Sequence, residues 1–200
     1  MFIFASKNHG KLAEMKNIMA PLKIVGAEEI GLNEDIAETG LTFAANALIK
    51  ARYVAKVTGH WSFADDTGLC VAVLKGEPGV YSKRFAGDNP SPEDFYGKIL
   101  TALEGVSEKD RQAYFETAVA LVSPKGEEWL FSGQAHGFIT SEPRGTLRPR
   151  LPYDMIFQPQ NYDRTFSEMT DEEKNSISHR GQAFRELKEF ILNHETMFAS

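Results

Sequence analysis

From Thr42 to Val57 apolar residues return every three to four positions, as Phe43, Ala44, Ala47, Leu48, Ala51, Val54 and Ala55, leaving Asn46, Lys50 and Tyr53 on another face. That period predicts an amphipathic helix, with Gly59 as its stop. Upstream, the apolar run Phe2 to Ala5, the polar loop SKNHGK and the spaced Leu12, Met15, Ile18 and Met19 predict strand, loop and helix. Leu22 to Ala27 reads as a neighbouring strand, and the acidic stretch from Glu28 to Gly40 as a loop. Ser62 to Ala64 and Leu69 to Leu74 read as extended segments on either side of an acidic turn, DDTG, with GEPG closing the region.

Pro92 to Leu103 predicts a helix whose first turn carries proline, Glu93 and Asp94, the residues a helix N-terminus favours. Arg111 to Val122 and Glu128 to Ile139 are rich in aromatic and β-branched residues and flank the turn SPKG, so they predict a hairpin. An irregular loop from Thr140 to Pro152 leads into a short strand, Tyr153 to Phe157. Thr170 and Glu173 have capping-box spacing, and Phe184, Leu187, Phe190 and Ile191 mark one side of a last helix. Helices alternating with strands, plus one hairpin, predict an α/β fold on a mixed sheet. With no repeat, low-complexity segment or linker, residues 1–200 are expected to form a single domain, within which two lobes are allowed.

Composition narrows the partners. Apolar residues make up 42% and charged ones 25%, the makeup of a globular chain. Lys plus Arg number 22 against 28 Asp plus Glu, a net of -6, so the surface has no general attraction for nucleic acid or acidic lipid. A polyanionic ligand needs a local site. One cysteine, Cys70, rules out an intrachain disulfide, the opening apolar stretch is too short for a signal-peptide core, and no run approaches the roughly 18 apolar residues of a membrane span. These features lead to the expectation of a cytoplasmic protein.

Three places could carry chemistry. The loop SKNHGK joins a strand to a helix, where backbone N–H groups and the helix dipole can face an anion, with Lys7 and Lys11 adding charge. On spacing alone, a solvated turn with two surface lysines is the commoner account. Glu38 and the pair Asp65 and Asp66 could converge on one divalent cation, because Mg2+ takes one or two carboxylates and completes its shell with water and phosphate. An Asx-type turn at DDTG explains that pair equally well. The run KNSISHRG sets Lys174, His179 and Arg180 where the last helix begins; a cation there opposes the helix dipole, and a guanidinium can donate two hydrogen bonds to a purine's O6 and N7. Zinc spacing, GxSxG and P-loop patterns are absent, and Cys70 reads as a core thiol.

Taken in chain order, SKNHGKLAEM, ETGLTFAANALIKA, FADDTGLCVAVLKGEPGVYSKRFAG and FSEMTDEEKNSISHRGQAF make the chain resemble the inosine/xanthosine triphosphate pyrophosphatases, which remove non-canonical purine nucleotides. The resemblance runs over nearly the whole chain. It implies an elongated mixed α/β fold with two lobes around a nucleotide-binding cleft, a homodimer, and Mg2+-dependent hydrolysis of ITP, dITP or XTP to the monophosphate and pyrophosphate. It assigns Ser6, Lys7, Asn8, His9, Gly10, Lys11 and Lys50 to the triphosphate, and Glu38 and Asp66 to Mg2+. Asp66 takes the further role of general base, with Asp65 beside it and Asn46 in support, and Thr67 stands where a serine is usual. Lys174, His179 and Arg180 fall around the nucleobase.

One loop departs from that family. RGTLRPRLPYD is about two residues longer than usual and has Leu151 and Pro152 where an aromatic between glycines is expected before Tyr153 and Asp154. Base stacking on an aromatic is worth roughly 1 to 3 kcal/mol, so Phe85, Tyr153 and Phe157 become candidates to replace it. Arg148 and Arg150 are open between gripping phosphate, repelling cations and decorating the loop. The rival readings are a pyrophosphatase for other modified nucleotides, pyrimidines included, and a nucleotide-binding module without catalysis. Glu38, Lys50, Asp65 and Asp66 speak against the module, since binding alone needs no metal ligand and base.

Overall fold

The computed structural model describes residues 1–198, and His9 through its backbone only. The strands are β1 (Phe2–Phe4), β2 (Ile24–Gly26), β3 (Trp61–Val71), β4 (Gln112–Val122), β5 (Glu128–Ile139) and β6 (Phe157–Pro159). The α-helices are α1 (His9–Met19), α2 (Phe43–Thr58), α3 (Pro92–Ala102), α4 (Asp171–Ile177) and α5 (His179–Asn193). Strand order is β2-β1-β3-β4-β5-β6, with β1 parallel to β2 and β3 and β5 antiparallel to β6. The sheet is therefore mixed, and the α/β class expected from the alternation of elements holds. Among the described residues no helix is long and apolar enough to cross a membrane.

The chain divides into two compact units, one of residues 1–66, 117–133 and 179–200, the other of 67–116 and 134–178. In the first unit the strands carry two apolar faces. Trp61, Phe63, Val119 and Leu121 pack with Met15 and Met19 of α1 and Ala183, Phe184 and Leu187 of α5. Ile3, Ala64, Ala120 and Val122 pack with Ala47, Ala51 and Val54 of α2. Odd and even positions of β3 thus face different helices, as the pleat of a strand requires. The second unit has its own core around Leu69, Val71, Ile99, Phe115, Phe157 and Phe166.

Local chemistry sets the helix limits. Thr42 caps α2 by accepting from the Ala45 N–H at 3.1 Å, and Gly59 ends it in the left-handed conformation at φ 65°. Ser91 with Asp94 and Thr170 with Glu173 form the capping boxes of α3 and α4.

Two expectations are corrected. DDTG is no turn; it lies inside the continuous strand β3, whose register with β1 pairs Phe2 with Trp61 and Phe4 with Phe63. Central pairing and buried cations override the weak strand preference of aspartate and glycine. Ala72–Leu74, expected to be extended, is a 3-10 turn. Likewise Pro152–Met155 is a 3-10 turn and the strand begins only at Phe157, because the fixed φ of proline suits a first helical turn and the Tyr153 hydroxyl donates to the Ser82 carbonyl at 2.9 Å.

Close packing of β5 on α5 in the first unit depends on Gly133, where an added Cβ would stand 2.2 Å from the His179 carbonyl oxygen. Gly133→Ala is expected to destabilise the fold by about 1 to 3 kcal/mol. Urea unfolding should show a lower midpoint with an unchanged slope.

Candidate active site

Asp65 and Asp66 are successive residues of β3, so the pleat sends their side chains to opposite faces. Asp66 faces α2. Asn46 and Lys50 stand one turn apart on that helix, the spacing that brings two side chains to one point. The Asn46 amide donates to Asp66 Oδ2 at 2.9 Å and its carbonyl oxygen accepts the Gly40 N–H at 2.7 Å, tying the acidic loop to the strand. Lys50 Nζ donates to Glu38 Oε1 at 2.6 Å and to the Asp65 carbonyl oxygen at 2.7 Å, and lies 3.9 Å from Asp66 Oδ1. A Cβ on Gly40 would come within 2.7 Å of Ala45 Cβ and Asn46 Oδ1, so only glycine allows this approach.

Asp65 faces α1 and α5. Lys11 Nζ donates to its Oδ2 at 2.6 Å, and Arg180 Nε lies 4.0 Å from the same oxygen. Arg180 is the first member of the buried stripe of α5, followed by Ala183, Phe184 and Leu187, and its Nη1 donates to Glu14 of α1. Glu14 lies one turn beyond Lys11. Asn8 caps α1, its side chain accepting from the Lys11 N–H at 3.1 Å, while its own N–H donates to the Ser6 hydroxyl at 3.2 Å. The loop from Ser6 through Gly10 thus ends in an ordered helix start that can face an anion.

The two carboxylates are tuned apart. Burial would raise Asp65, but Lys11, Lys50 and Arg180 outweigh it and hold the carboxyl down at about 2. Asp66 is raised, chiefly by burial and against the pull of Lys50 and the Asn46 hydrogen bond. Burial lowers Lys11, whereas at Lys50 burial opposes, and Asp66, Asp65 and Glu38 prevail in raising the ammonium. Exposure follows the same division: the Asp65 side chain is 0% exposed, Asp66 10% and Glu38 24%. Glu38 and Asp66 bracket one ammonium, so both already converge on a cation. Among the described residues no group of three His, Cys, Asp or Glu could hold a metal by itself. A site of two carboxylates completed by water and phosphate oxygens suits Mg2+.

Other expected residues stand elsewhere. Lys7 meets Asp35 at the surface, 2.8 Å away, and the side chain of His9 is outside the described residues. His179 is buried in the first unit beside Arg180. In the second unit, Thr67 continues β3, and Lys174 Nζ donates to Asp154 Oδ2 at 2.7 Å, both side chains being buried. Leu151 and Pro152 are half-buried. Tyr153 and Phe157 are core residues, Tyr153 edge-on to Phe95 and Phe157 packed on Phe115 and Phe166, which removes both as replacements for the stacking aromatic. Phe85 is partly buried, with Lys98 Nζ 4.5 Å above its ring. Glu14 is not among the residues the sequence points to; its one signal is its place three residues after Lys11, a turn along the same helix.

The depressed Asp65 carboxyl makes stability depend on pH. Its folded value, about 2, lies below the ordinary 3.8, so its contribution is complete above the ordinary value and is lost as pH falls through about 2. Between pH 5 and pH 2 the protein is expected to lose about 2 kcal/mol that Asp65→Asn does not lose. Denaturant unfolding of both proteins across that range checks the difference.

The chain also has relatives among known proteins. The model of the Ham1 family matches residues 2–190. A protein of Thermoanaerobacter pseudethanolicus described as a dITP/XTP pyrophosphatase is 44% identical over 192 residues, covering 95% of this chain and 96% of that protein. One of Flavobacterium johnsoniae with the same description is 43% identical, covering 94% and 96%. A solved HAM1 protein from Coxiella burnetii superimposes with a TM-score of 0.86 at 40% identity, over 96% of this chain and 98% of that one. With a family model matched over residues 2–190 and identity of this order over almost its full length, the chain belongs to the Ham1 family.

Proposed function

We propose that the protein hydrolyses non-canonical purine nucleoside triphosphates, of the ITP, dITP and XTP class, to the monophosphate and pyrophosphate, with Mg2+ as the metal. The observation that carries this reading is the unequal pair on β3: Asp65 buried, with Oδ2 on Lys11 and near Arg180, and Asp66 more basic and set with Glu38 about the Lys50 ammonium. Its family relatives described as dITP/XTP pyrophosphatases supply the substrate class.

The residues divide the work by position. The start of α1 and Lys11 face the phosphates, where backbone N–H groups and the helix dipole favour negative charge. Three cations (Lys11, Lys50 and Arg180) stand with four carboxylates (Glu14, Glu38, Asp65 and Asp66). A set with that balance admits a triphosphate poorly without a further cation, which supports the assignment of Glu38 and Asp66 to Mg2+. When bound, Mg2+ neutralises charge on the phosphate oxygens. Asp66 accepts a proton from the attacking water, and its raised basicity suits it better than Asp65. Water adds to phosphorus, the phosphoanhydride bond breaks and pyrophosphate leaves. Asn46 holds the Asp66 carboxylate in orientation, and Lys50 offsets the charge gathered between Glu38 and Asp66.

At the base end, Lys174 in the second unit is a donor suited to a 6-oxo purine, and an adenine amino group at that position would meet a donor with a donor. No aromatic besides Tyr153 occurs between residues 144 and 154, and Tyr153 belongs to the core. The base is held less rigidly than by stacking, so discrimination against GTP is weak. A cytoplasmic location, for which composition speaks, and a homodimer, which the family resemblance implies, complete the reading.

Pyrophosphate release from ITP, XTP, dITP, GTP, ATP and UTP, each with and without Mg2+, tests it. Release is expected from ITP, dITP and XTP ahead of ATP and UTP, with Mg2+ required. Equal turnover of ATP and ITP, or no turnover at all, contradicts the proposal. Asp66→Asn keeps the shape and loses the basicity, and is expected to lower kcat by about 10²- to 10⁴-fold with the fold intact by circular dichroism. Lys11→Ala should weaken binding of every triphosphate without changing their order, as KM values across the same panel will report.

A further inference from the structure

The long loop after β5 carries a cation that hydrolysis does not use. Arg148, its side chain 20% exposed, donates from Nη1 to the Phe166 carbonyl at 2.9 Å and from Nη2 to the Met169 carbonyl. Nη1 also lies 3.8 Å from Asp154 Oδ2, and Nη2 lies 3.4 Å from Asp171 Oδ1. The same Asp154 oxygen accepts Lys174 Nζ at 2.7 Å. One planar guanidinium, whose donors are fixed in a fork, therefore ties the loop to the approach of α4 and to the Asp154–Lys174 pair at once.

Simple anchoring of the loop does not account for this. The loop is already fastened without Arg148: the Ser167 hydroxyl donates to the Thr146 carbonyl, the Thr165 hydroxyl to the Arg144 carbonyl at 3.3 Å, and Arg144 Nη2 to Gln158 Oε1 at 2.6 Å. Neighbouring Arg150 reverses the chain in the left-handed region at φ 60°, leaving Arg148 directed inward. What Arg148 adds is a second cation on Asp154. A carboxylate held only by the flexible stem of Lys174 can follow that side chain; one that also faces a guanidinium fixed by two carbonyls is confined.

We propose that Arg148 is a specificity-positioning residue. It fixes the Asp154–Lys174 pair, and through it the 6-oxo purine, in a loop that lacks a stacking aromatic. This rests on the hydrolase reading above, with Lys174 at the base and Asp154 as its buried partner. The test measures ITP and ATP kinetics by pyrophosphate release, inhibition by inorganic tripolyphosphate and thermal stability, for the unmodified protein and for Arg148→Ala, Arg148→Met and Arg148→Lys. Ala and Met are expected to raise KM for ITP about tenfold, with kcat within about twofold, and to narrow the preference for ITP over ATP. Inhibition by tripolyphosphate, which has no base, stays unchanged, and Lys restores part of the loss. A lowered Tm with KM unmoved overturns the inference, as do failure of all three variants to fold and a parallel weakening of tripolyphosphate, which would make Arg148 a phosphate ligand. If the unmodified protein releases no pyrophosphate from ITP, the hydrolase reading fails first and takes this inference with it.

Discussion

Two adjacent carboxylates on one buried strand cannot share an environment, and the first unit is organised around that fact. The pleat sends Asp65 toward α1 and α5 and Asp66 toward α2. Each face must then supply its own countercharge, because an uncompensated buried carboxylate is far costlier than a paired one. Lys11 and Arg180 meet the first, and Asn46 and Lys50 the second. Division of labour follows from geometry, the closed carboxylate serving as a counterion and the open one keeping its basicity.

The helices deliver these side chains at the ends of their apolar stripes. Ala47, Ala51 and Val54 seat α2 against Ile3 and Ala64, so Asn46 and Lys50 arrive at a fixed height above Asp66. Met15 and Met19 seat α1, and Ala183, Phe184 and Leu187 seat α5, placing Lys11, Glu14 and Arg180 around Asp65. A guanidinium in the first turn of α5 opposes the helix dipole, and Glu14 and Asp65 offset it. Buried ion networks of this sort add little net stability. Their worth here is position, held by a core that is rigid because it is close-packed.

Much of this was legible in the chain. The period of α2, its glycine stop, the capping boxes and the hairpin all rest on local chemistry, and local chemistry decided them. The acidic segment departs from its local preferences for the opposite reason. Asp, Asp, Thr and Gly have the local preferences of a turn, while their strand geometry comes from β1 alongside and from cations on other elements, none of which is near in sequence. Nothing near Tyr153 in the chain reveals the Ser82 carbonyl that receives its hydroxyl and holds it in the core. Glu38 and Asp66 are legible as carboxylates able to meet at one cation, and Lys50 enters through the resemblance; their convergence belongs to the fold. Arg148 could be noticed as a charge in an unusual loop, but its acceptors, at Phe166, Met169 and Asp171, come from a later segment.

The unequal basicity of the two aspartates is the central claim, and carboxyl-carbon NMR titration of 13C-labelled protein measures it directly, with Asp65→Asn and Asp66→Asn to assign the signals. Asp65 should titrate near 2 and Asp66 above the ordinary aspartate value of 3.8. Two carboxyls that titrate together, or Asp66 titrating below Asp65, would contradict the assignment of counterion and base.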